Sequence, residues 1–302
     1  MDRYVVDPHW HDYIVWYFYL GGIAAGSFAA ASLAALFGSE ADRRGTRAAD
    51  YLALPLIAAC GLLLVVDLGR PERFWHMLIQ SETFRPMFKW WSPMSAGSWG
   101  LSAFGFFAGI GFVGTLIEDG WLGSAGLRDR TARLRRGGWG KLLALGGATS
   151  AFFLGSYTGV LLAATNQPVW SDSTWLAALF LVSAASTGVA ATLVVTRWRL
   201  ADVGQDVLDR LERLDAWAIG LEILMLAMFL VSLGGLARPA LTSWPGILVP
   251  MVVVPAGLAA PLVLRVARRP WAPWASSALV LAAGFALRAA VVGMPGIFRV
   301  GG

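Results

Sequence analysis

The sequence predicts an all-α integral membrane protein with eight transmembrane helices, and its composition is the first reason. Hydrophobic residues make up 57% of the chain and charged residues only 14%, whereas soluble domains carry about 25% charged residues. A second reason is that apolar runs near the length of about 20 residues that a bilayer-crossing helix needs recur along the chain. They form a single membrane domain over residues 1–302, with predicted helices at 14–37, 49–67, 93–117, 142–164, 174–196, 216–236, 246–265 and 272–294.

Individual runs support this prediction to different degrees. The runs 14–37 and 93–117 are the clearest, and Ser92 followed by Pro93 is typical of a capped helix start. The run 246–265 contains three prolines, so we expect kinks there, which membrane helices tolerate when neighbours re-satisfy the freed carbonyls. The amphipathic segment 201–214 is interpreted as a connector without chemistry.

The distribution of basic residues predicts the orientation. Eight crossings place both termini on one side, and most of the 24 lysines and arginines follow the first, third, fifth and seventh helices. The positive-inside rule assigns those loops to the cytoplasm. We therefore expect the termini and the loop 68–92 on the outer, periplasmic face of a bacterial cytoplasmic (inner) membrane. Membrane anchoring also explains the net charge of +5, so nucleic-acid binding is not expected.

Few residues in this chain are suited to bind redox metals. Cys60 is the only cysteine, and the three histidines are His9, His11 and His76. An Fe–S cluster needs several thiolates, and a transmembrane b-type haem usually takes two histidines from within the bundle. We therefore expect no haem, Fe–S cluster or structural zinc in this chain, and we interpret His9 and His11 as interfacial residues.

The polar side chains inside the predicted spans are the main functional candidates, because burying such groups in a membrane is costly. All except one fall near the outer surface in the predicted orientation, and the exception is Glu222. The set comprises Asp67, Tyr157, Glu222 and Arg288, joined at the start of the first helix by Tyr13 and Tyr17.

The stretch VVDLGRPERFWHMLIQ, residues 65–80, adds charges of both signs beside aromatic rings. Such an outer pocket suits a quinone, whose apolar tail stays in lipid while its two carbonyls need hydrogen-bond donors and protons. Tyr157 has a hydroxyl to donate, His76 has an imidazole that can carry a proton, and Asp67 or Glu72 can exchange protons with outer water.

A structural interpretation of the same residues stays open. Tyrosine and tryptophan are common at membrane interfaces in any case. Asp67 can also form an ion pair with Arg70 or Arg73 that only holds the loop in place.

Four motifs together resemble the NrfD/PsrC family. They are DLGRPERFWHML, WWSPMSAGSWGL, YTGVLLAATNQPVW and AAGFALRAAVVG, which follow the family's order between about residues 14 and 294. The resemblance implies an eight-helix, haem-free subunit that binds menaquinone or ubiquinone. It also implies two partners: a four-cluster ferredoxin-like Fe–S subunit docked on the loop side, and a molybdopterin catalytic subunit that receives or supplies the electrons.

The resemblance also implies roles for single residues. The family's helix-4 tyrosine falls on Tyr157, with a hydrogen bond to a quinone carbonyl as its role, and the family's D-L-x-x-P-x-R-F-W pattern falls on residues 67–75, which include Asp67 and Arg73. Some members offer Asn and His at the start of the first helix as quinone contacts. Tyr13 and Tyr17 occupy that region here, which is a departure from the pattern.

The loop 68–92 is expected to form both the rim of the quinone pocket and part of the platform for the Fe–S subunit. Aromatic anchors are typical of contact patches, and basic side chains can steer an acidic partner. An amphipathic segment lying on the lipid surface is the alternative. The predicted docking residues are Phe74, Trp75, Arg85, Lys89 and Trp90.

The remaining expectations concern Glu222 and Arg288. Glu222, with Asp215 near the cytoplasmic end, is a candidate for an inner proton path or only for a hydrogen bond to a neighbouring helix. Arg288 can neutralise an anion or pair with a carboxylate such as Asp67, and pairing is favoured.

Two rival functions remain: a purely structural anchor, and a secondary transporter, which would place its polar groups at the midplane between two repeated halves. Most polar groups of this chain gather at one face, which favours the quinone-binding subunit.

Overall fold

The computed structural model describes residues 12–199, 203–267 and 269–298, and eight helices within them are long and apolar enough to cross a membrane. No strand occurs in these ranges, only an isolated bridge between Ile79 and Pro86. The chain is therefore a multi-pass membrane protein. Its spans are α1 Asp12–Phe37, α2 Arg47–Asp67, α3 Pro93–Glu118, α4 Gly138–Ala163, α5 Leu176–Arg199, α6 Gln205–Ser232, α7 Val249–Val266 and α8 Ala272–Gly293.

The connections on the two sides of the bundle differ in character. One side holds the two ends of the described chain and the connections 68–92, 164–175 and 233–248, and we call it the terminal face. The other side holds the connections 38–46 and 119–137, and we call it the arginine-rich face. On that face the short helix Glu40–Gly45 precedes α2, and the amphipathic helix Ala125–Arg136, called the loop helix below, precedes α4.

The start of α3 agrees with its sequence signal. The hydroxyl of Ser92 accepts a hydrogen bond from the backbone N–H of Ser95 at 3.4 Å, and Pro93 occupies the first turn. The cap satisfies one of the donors that a helix start leaves without an intrahelical partner. This cap fixes where the loop 68–92 ends and the membrane span begins.

Helix α6 begins at Gln205, earlier than the apolar run at 216 indicates. The segment interpreted as a connector from the sequence is thus helical from residue 205 onward. Val207 and Leu211 on its apolar side are buried in a small cluster with Ala30, Val189 and Leu193 of α1 and α5. Packing of this amphipathic stripe against the bundle explains why the helix extends beyond the membrane span.

Helix α7 is irregular where its prolines lie. Its first part, Val249–Ala259, has π-helical hydrogen bonding, and the N–H of Ala260 donates to the carbonyl of Pro255 five residues earlier. Proline lacks an N–H, so the regular ladder cannot continue through Pro250 and Pro255. The expected kinks take the form of this π-helical segment.

Helix α1 lies at the centre of the bundle and packs against α2, α4, α5 and α8. Its backbone approaches that of α5 very closely. A Cβ atom added at Gly26 would lie 1.8 Å from the carbonyl oxygen of Ala184, and one added at Gly188 would lie 2.2 Å from the backbone nitrogen of Ser27. Small residues at both positions let the two backbones touch, as is usual between membrane helices.

Candidate functional site

Tyr157 lies in the terminal half of α4 and is almost fully buried. Its hydroxyl donates a hydrogen bond to the carbonyl oxygen of Pro93, in the first turn of α3, at 2.8 Å. The ring stacks on Phe153 with centroids 5.6 Å apart. Gly97 makes room for it, because a Cβ atom at that position would lie 2.0 Å from the hydroxyl oxygen.

A second buried phenol, Tyr17 of α1, belongs to the same region. It is 3% exposed, near the start of α1 at the terminal face, and α1 packs against both α4 and α2. The Cys60 thiol donates to the backbone carbonyl of Tyr17 at 3.6 Å. At about 1.5 Å rise per residue, both phenols lie roughly 8 to 9 Å inside the helix ends at the terminal face. We call Tyr17, Tyr157 and Gly97 together the tyrosine site.

The tyrosine site lies next to the lipid-facing surface of the bundle. Phe153, whose ring covers one face of the Tyr157 ring, is 38% exposed. By contrast, Tyr13 is 44% exposed at the start of α1, so of the two tyrosines expected there only Tyr17 enters the bundle. The structure therefore buries Tyr17 and Tyr157 in the terminal half of the bundle and leaves Tyr13 partly exposed at the start of α1.

The loop 68–92 rests on the first turns of α3. Pro71–Met77 forms a 3₁₀-helix. The hydroxyl of Ser98 contacts the Met77 sulfur at 3.8 Å, and the Trp99 indole donates to the Met87 carbonyl at 3.0 Å. Since Ser98 directly follows Gly97, these contacts place the loop beside the tyrosine site.

The charged residues predicted in this loop occupy different environments. Asp67 at the end of α2 and His76 are half-buried, and the His76 ring lies against Trp75 with centroids 3.9 Å apart. Glu72 and Arg73 are exposed. Asp67 and His76 are thus the two predicted polar residues of the loop that are partly enclosed.

The outward side of the loop is rich in exposed aromatic rings. Arg85 and Lys89 are exposed among them, whereas Trp75 is partly buried and its ring stacks with that of Phe84. The structure thus gives the predicted docking residues an apolar surface with basic members. The exposed aromatic residues are Phe74, Phe84, Phe88, Trp90 and Trp91.

Arg288 lies between α8, α1 and α5. Its Nε donates to the Phe18 carbonyl at 3.0 Å, and its Nη1 donates to the Gly284 carbonyl at 2.8 Å and the Ser183 hydroxyl at 3.2 Å. Gly22 admits the guanidinium group, since a Cβ atom there would lie 2.5 Å from Nη2.

None of these hydrogen-bond partners is a carboxylate, whereas the sequence had suggested pairing with one such as Asp67. Glu222 of α6 is buried, and α6 packs against α5, which carries the Ser183 hydroxyl that Arg288 contacts. The correction has a physical reason: α8 packs along α5, so Arg288 faces the interior of the bundle and not the end of α2.

Asp215 lies two turns from Glu222 along α6, towards the arginine-rich face. It is 1% exposed and bonded to Arg265 through Oδ2, while its Oδ1 has no protein hydrogen-bond partner. A cavity of about 180 Å³, lined by Asp215, Arg197 and Arg265, opens there. Residues seven apart share one face of a helix, so Asp215 and Glu222 are aligned about 10 Å apart.

Sequence reasoning missed a polar network at the arginine-rich end. Arg135 of the loop helix contacts Asp50 of α2 at 2.7 Å and the Thr115 hydroxyl of α3 at 2.9 Å. Burial by itself lowers the pKa of Arg135, but Asp50 and Glu118 outweigh it and raise the pKa, so the guanidinium stays charged. An ionisable residue at the start of a predicted span was the signal available for Asp50.

Within the described ranges, no group of three or more His, Cys, Asp and Glu side chains is placed to hold a metal ion. Histidines 9 and 11, interpreted above as interfacial, lie outside those ranges.

Eight apolar spans and a pair of buried phenols beside an aromatic loop define a multi-pass membrane protein with a polar site near one membrane face. The chain belongs to the NrfD family: residues 5–300 match the family model described as Polysulphide reductase, NrfD.

Two curated relatives were also found. The C-chain of polysulfide reductase from Wolinella succinogenes is 30% identical over 283 residues, which covers 85% of this chain and 83% of that protein. The C-subunit of selenate reductase from Mesobacillus selenatarsenatis is 25% identical over 257 residues, which covers 74% of this chain and 57% of that protein. The chain therefore aligns with little more than half of the selenate reductase protein.

Proposed function

We propose that this chain is the quinone-binding membrane subunit of a respiratory oxidoreductase complex. In this proposal it exchanges electrons between a membrane quinone, menaquinone or ubiquinone, and a ferredoxin-like Fe–S subunit. Membership of the NrfD family and the names of its two relatives, both components of reductases, support the proposal. The observation that carries it is the pair of buried phenols close to lipid.

The tyrosine site has the properties that a quinone head group needs. Tyr17 and Tyr157 supply two hydroxyl donors for the carbonyls, and their rings and Phe153 supply apolar walls. The partial exposure of Phe153 gives the isoprenoid tail a short route to the bilayer. Buried hydroxyls in such a site favour a ligand that accepts hydrogen bonds, because an unpaired buried polar group is costly.

The hydrogen bond from Tyr157 to Pro93 is compatible with this role. A carbonyl oxygen has two lone pairs, and that of Pro93, in the first turn of α3, also serves as an intrahelical acceptor. The Tyr157 hydroxyl can therefore turn to a quinone carbonyl without leaving Pro93 unsatisfied. Arg73, His76 and Asp67 are proposed to complete the rim, and Arg288 to support the site electrostatically through α1.

The loop 68–92 is proposed as the platform for the Fe–S subunit. Phe74 and Trp90 are exposed and Trp75 partly so, and together they supply apolar contact area, while Arg85 and Lys89 attract an acidic surface. A cluster docked there lies near the tyrosine site, because the loop is held against the first turns of α3. By the positive-inside rule, this face is periplasmic in a bacterial cytoplasmic membrane. The Fe–S subunit then passes electrons to or from a molybdopterin catalytic subunit.

Protons for the quinone are proposed to come from two sides. Asp67 and Glu72 connect the tyrosine site with water at the terminal face. Glu222 is proposed to receive protons from the arginine-rich face through Asp215, which has one unpartnered carboxylate oxygen and lines a polar cavity. Ser183 and Arg288, which contact each other, are proposed to extend this polar path from Glu222 towards α1.

Co-purification tests the function as a whole. The tagged chain is extracted from native membranes in mild detergent, and its partners, iron, molybdenum and quinone content are measured. A cysteine-rich partner with stoichiometric iron, together with bound quinone, is the expected result. A chain that purifies free of partners, metal and quinone under several gentle conditions would contradict the proposal and favour a transporter.

A further inference from the structure

A second cavity lies at the opposite end of the bundle from the tyrosine site. It has a volume of about 350 Å³ and lies among α1, α2, α3 and α4, with the loop helix at its edge. None of the residues proposed above to contact a quinone, a proton or the Fe–S subunit lines it. Its ligand is therefore a question separate from the proposed function.

The cavity carries an excess of positive charge. Five arginines and three carboxylates line it. Arg47 pairs with Glu118 at 2.6 Å, Arg135 with Asp50 at 2.7 Å, and Arg136 with Glu40 at 3.2 Å. These three pairs use all three carboxylates, so the charges of the other two arginines are not balanced within the lining.

Those two arginines are Arg43 and Arg44. The guanidinium group of Arg43 donates to two backbone carbonyls, those of Ala35 and Arg135, which orient it without neutralising it. Arg44 is exposed at the cavity edge, and no carboxylate of the described chain lies within ion-pair distance of it. Both arginines line the same cavity, and guanidinium groups match the charge and the planar, bidentate geometry that phosphate groups prefer.

The start of α4 adds to the attraction for an anion. Gly140, in the first turn of this 26-residue helix, lines the cavity, and Gly137 precedes the helix without a side-chain cap. The first N–H groups of such a helix have no intrahelical partner and carry a partial positive charge. An anion in the cavity is thus attracted by a helix terminus as well as by Arg43 and Arg44.

The cavity wall becomes apolar with depth. Leu143, Ile110, Phe107 and Phe28 line it below the arginines. Phe107 lies eleven residues from the end of α3 at Glu118, which is roughly 16 Å into the bundle. Arginines at the level of the lipid head groups and apolar rings at the level of the acyl chains are the arrangement of a site for an anionic lipid.

We propose that this cavity binds a phosphate-bearing anion through Arg43 and Arg44, with an anionic phospholipid as its source: the phosphate lies between the two guanidinium groups and an acyl chain lies along Phe107 and Ile110. The alternative ligand with the same phosphate group is soluble inorganic phosphate, which fills only the polar part of the cavity.

Lipid binding to the full-length chain, with any partners that co-purify, tests this proposal. Native mass spectrometry measures the affinity for phosphatidylglycerol and for phosphatidylcholine, and thermal unfolding measures stabilisation by inorganic phosphate. Arg44→Gln is the test variant, because Arg44 is exposed and its loss leaves the fold intact. Arg130→Gln is the matched control, since Arg130 is an exposed arginine of the loop helix that does not line the cavity.

The expected result is at least about tenfold tighter binding of phosphatidylglycerol than of phosphatidylcholine, reduced about tenfold by Arg44→Gln and unchanged by Arg130→Gln. A second outcome is that inorganic phosphate stabilises the protein, Arg44→Gln abolishes this stabilisation, and the two lipids bind equally. That outcome would support the phosphate site and assign it to the soluble anion. Equal binding of both lipids, together with equal responses of the two variants to phosphate, would overturn the proposal.

Discussion

The hydroxyl of Tyr157 donates its hydrogen bond to the carbonyl of Pro93 at 2.8 Å, so α4 and α3 are joined in the terminal half of the bundle. The acceptor belongs to the first turn of α3, immediately after the loop 68–92. One hydrogen bond thus links the phenol proposed to bind quinone to the segment proposed to bind the Fe–S subunit.

The space beneath Tyr157 provides the first prediction. Gly97→Ala places a Cβ atom 2.0 Å from the Tyr157 hydroxyl, so the ring must shift and the bond to Pro93 breaks. We expect a loss of about 1 to 3 kcal/mol in the free energy of unfolding and slower quinone-linked electron transfer. Gly105→Ala on the same helix meets nothing within 4 Å and serves as the control. Equal melting temperatures and rates for the two variants would argue against the packing described.

The aromatic loop provides the second prediction. Trp90→Ser removes a ring that is 77% exposed, so the fold should be unaffected, but an interface anchor is lost. We expect the yield of the Fe–S partner in co-purification to fall at least about tenfold, which corresponds to a hot-spot loss of about 1.4 kcal/mol or more. Trp121→Ser removes an equally exposed ring from the arginine-rich face and should leave the yield unchanged. A loss of partner in both variants or in neither would show that the loop is not the docking surface.

Glu222 provides the third prediction. Glu222→Gln keeps the size of the side chain but removes its exchangeable acidic proton. We expect proton uptake from the arginine-rich side during quinone reduction to slow at least about tenfold, as for loss of a positioned proton donor. The uptake is measured in complexes reconstituted into liposomes with a trapped pH indicator. Glu82→Gln, an exposed carboxylate in the loop 68–92, is the control and should behave as the unmodified protein. Unchanged uptake in Glu222→Gln would limit the proton supply to the terminal face.

The fourth prediction contrasts two ion pairs at the arginine-rich face. Asp50→Asn removes a nearly buried partner of Arg135 and leaves that guanidinium without its closest counter-charge. We expect a loss of about 2 kcal/mol in unfolding free energy, between the values for exposed and fully buried pairs. Glu40→Gln removes a pair in which both side chains are more than half exposed, and it should cost less than about 1 kcal/mol. Thermal unfolding in detergent compares the two, and similar costs would contradict the role assigned to Asp50.

The spans could be predicted from sequence because hydrophobic length is a local property. Eight apolar runs in the sequence correspond to eight candidate membrane helices in the described chain. The early start of α6 was missed because residues 205–215 are polar on average, and only their packing against α1 and α5 keeps them helical. The π-helical segment of α7 was foreseen only as kinks at prolines, since the hydrogen bonds that replace the lost ones depend on the neighbouring turns.

The candidate site was less predictable, because its parts meet through tertiary packing. Tyr157 was identifiable as a polar residue in an apolar span and by resemblance, but the sequence does not show that Pro93 and Gly97 surround its hydroxyl. The partner of Arg288 depends on how α6, α5 and α8 pack, which no local pattern encodes. The contact between Asp50 and Arg135 joins residues far apart in the chain and was missed for the same reason.

Electron transfer in a Tyr157→Phe variant tests the central claim most directly. The variant keeps the ring that stacks on Phe153 and loses only the hydroxyl, so its free energy of unfolding should fall by about 1 kcal/mol at most. Tyr51→Phe, which removes a hydroxyl bonded to Asp119 at the arginine-rich end, is the matched control.

The measurement is the rate at which quinol reduces the Fe–S clusters of the co-purified complex. We predict that Tyr157→Phe slows this reduction at least about tenfold while partner binding stays intact. This factor corresponds to the loss of a hydrogen-bond donor worth more than about 1.4 kcal/mol. Tyr51→Phe should match the unmodified protein. Equal rates in all three proteins would contradict the assignment of Tyr157 to the quinone and leave it only the structural bond to Pro93.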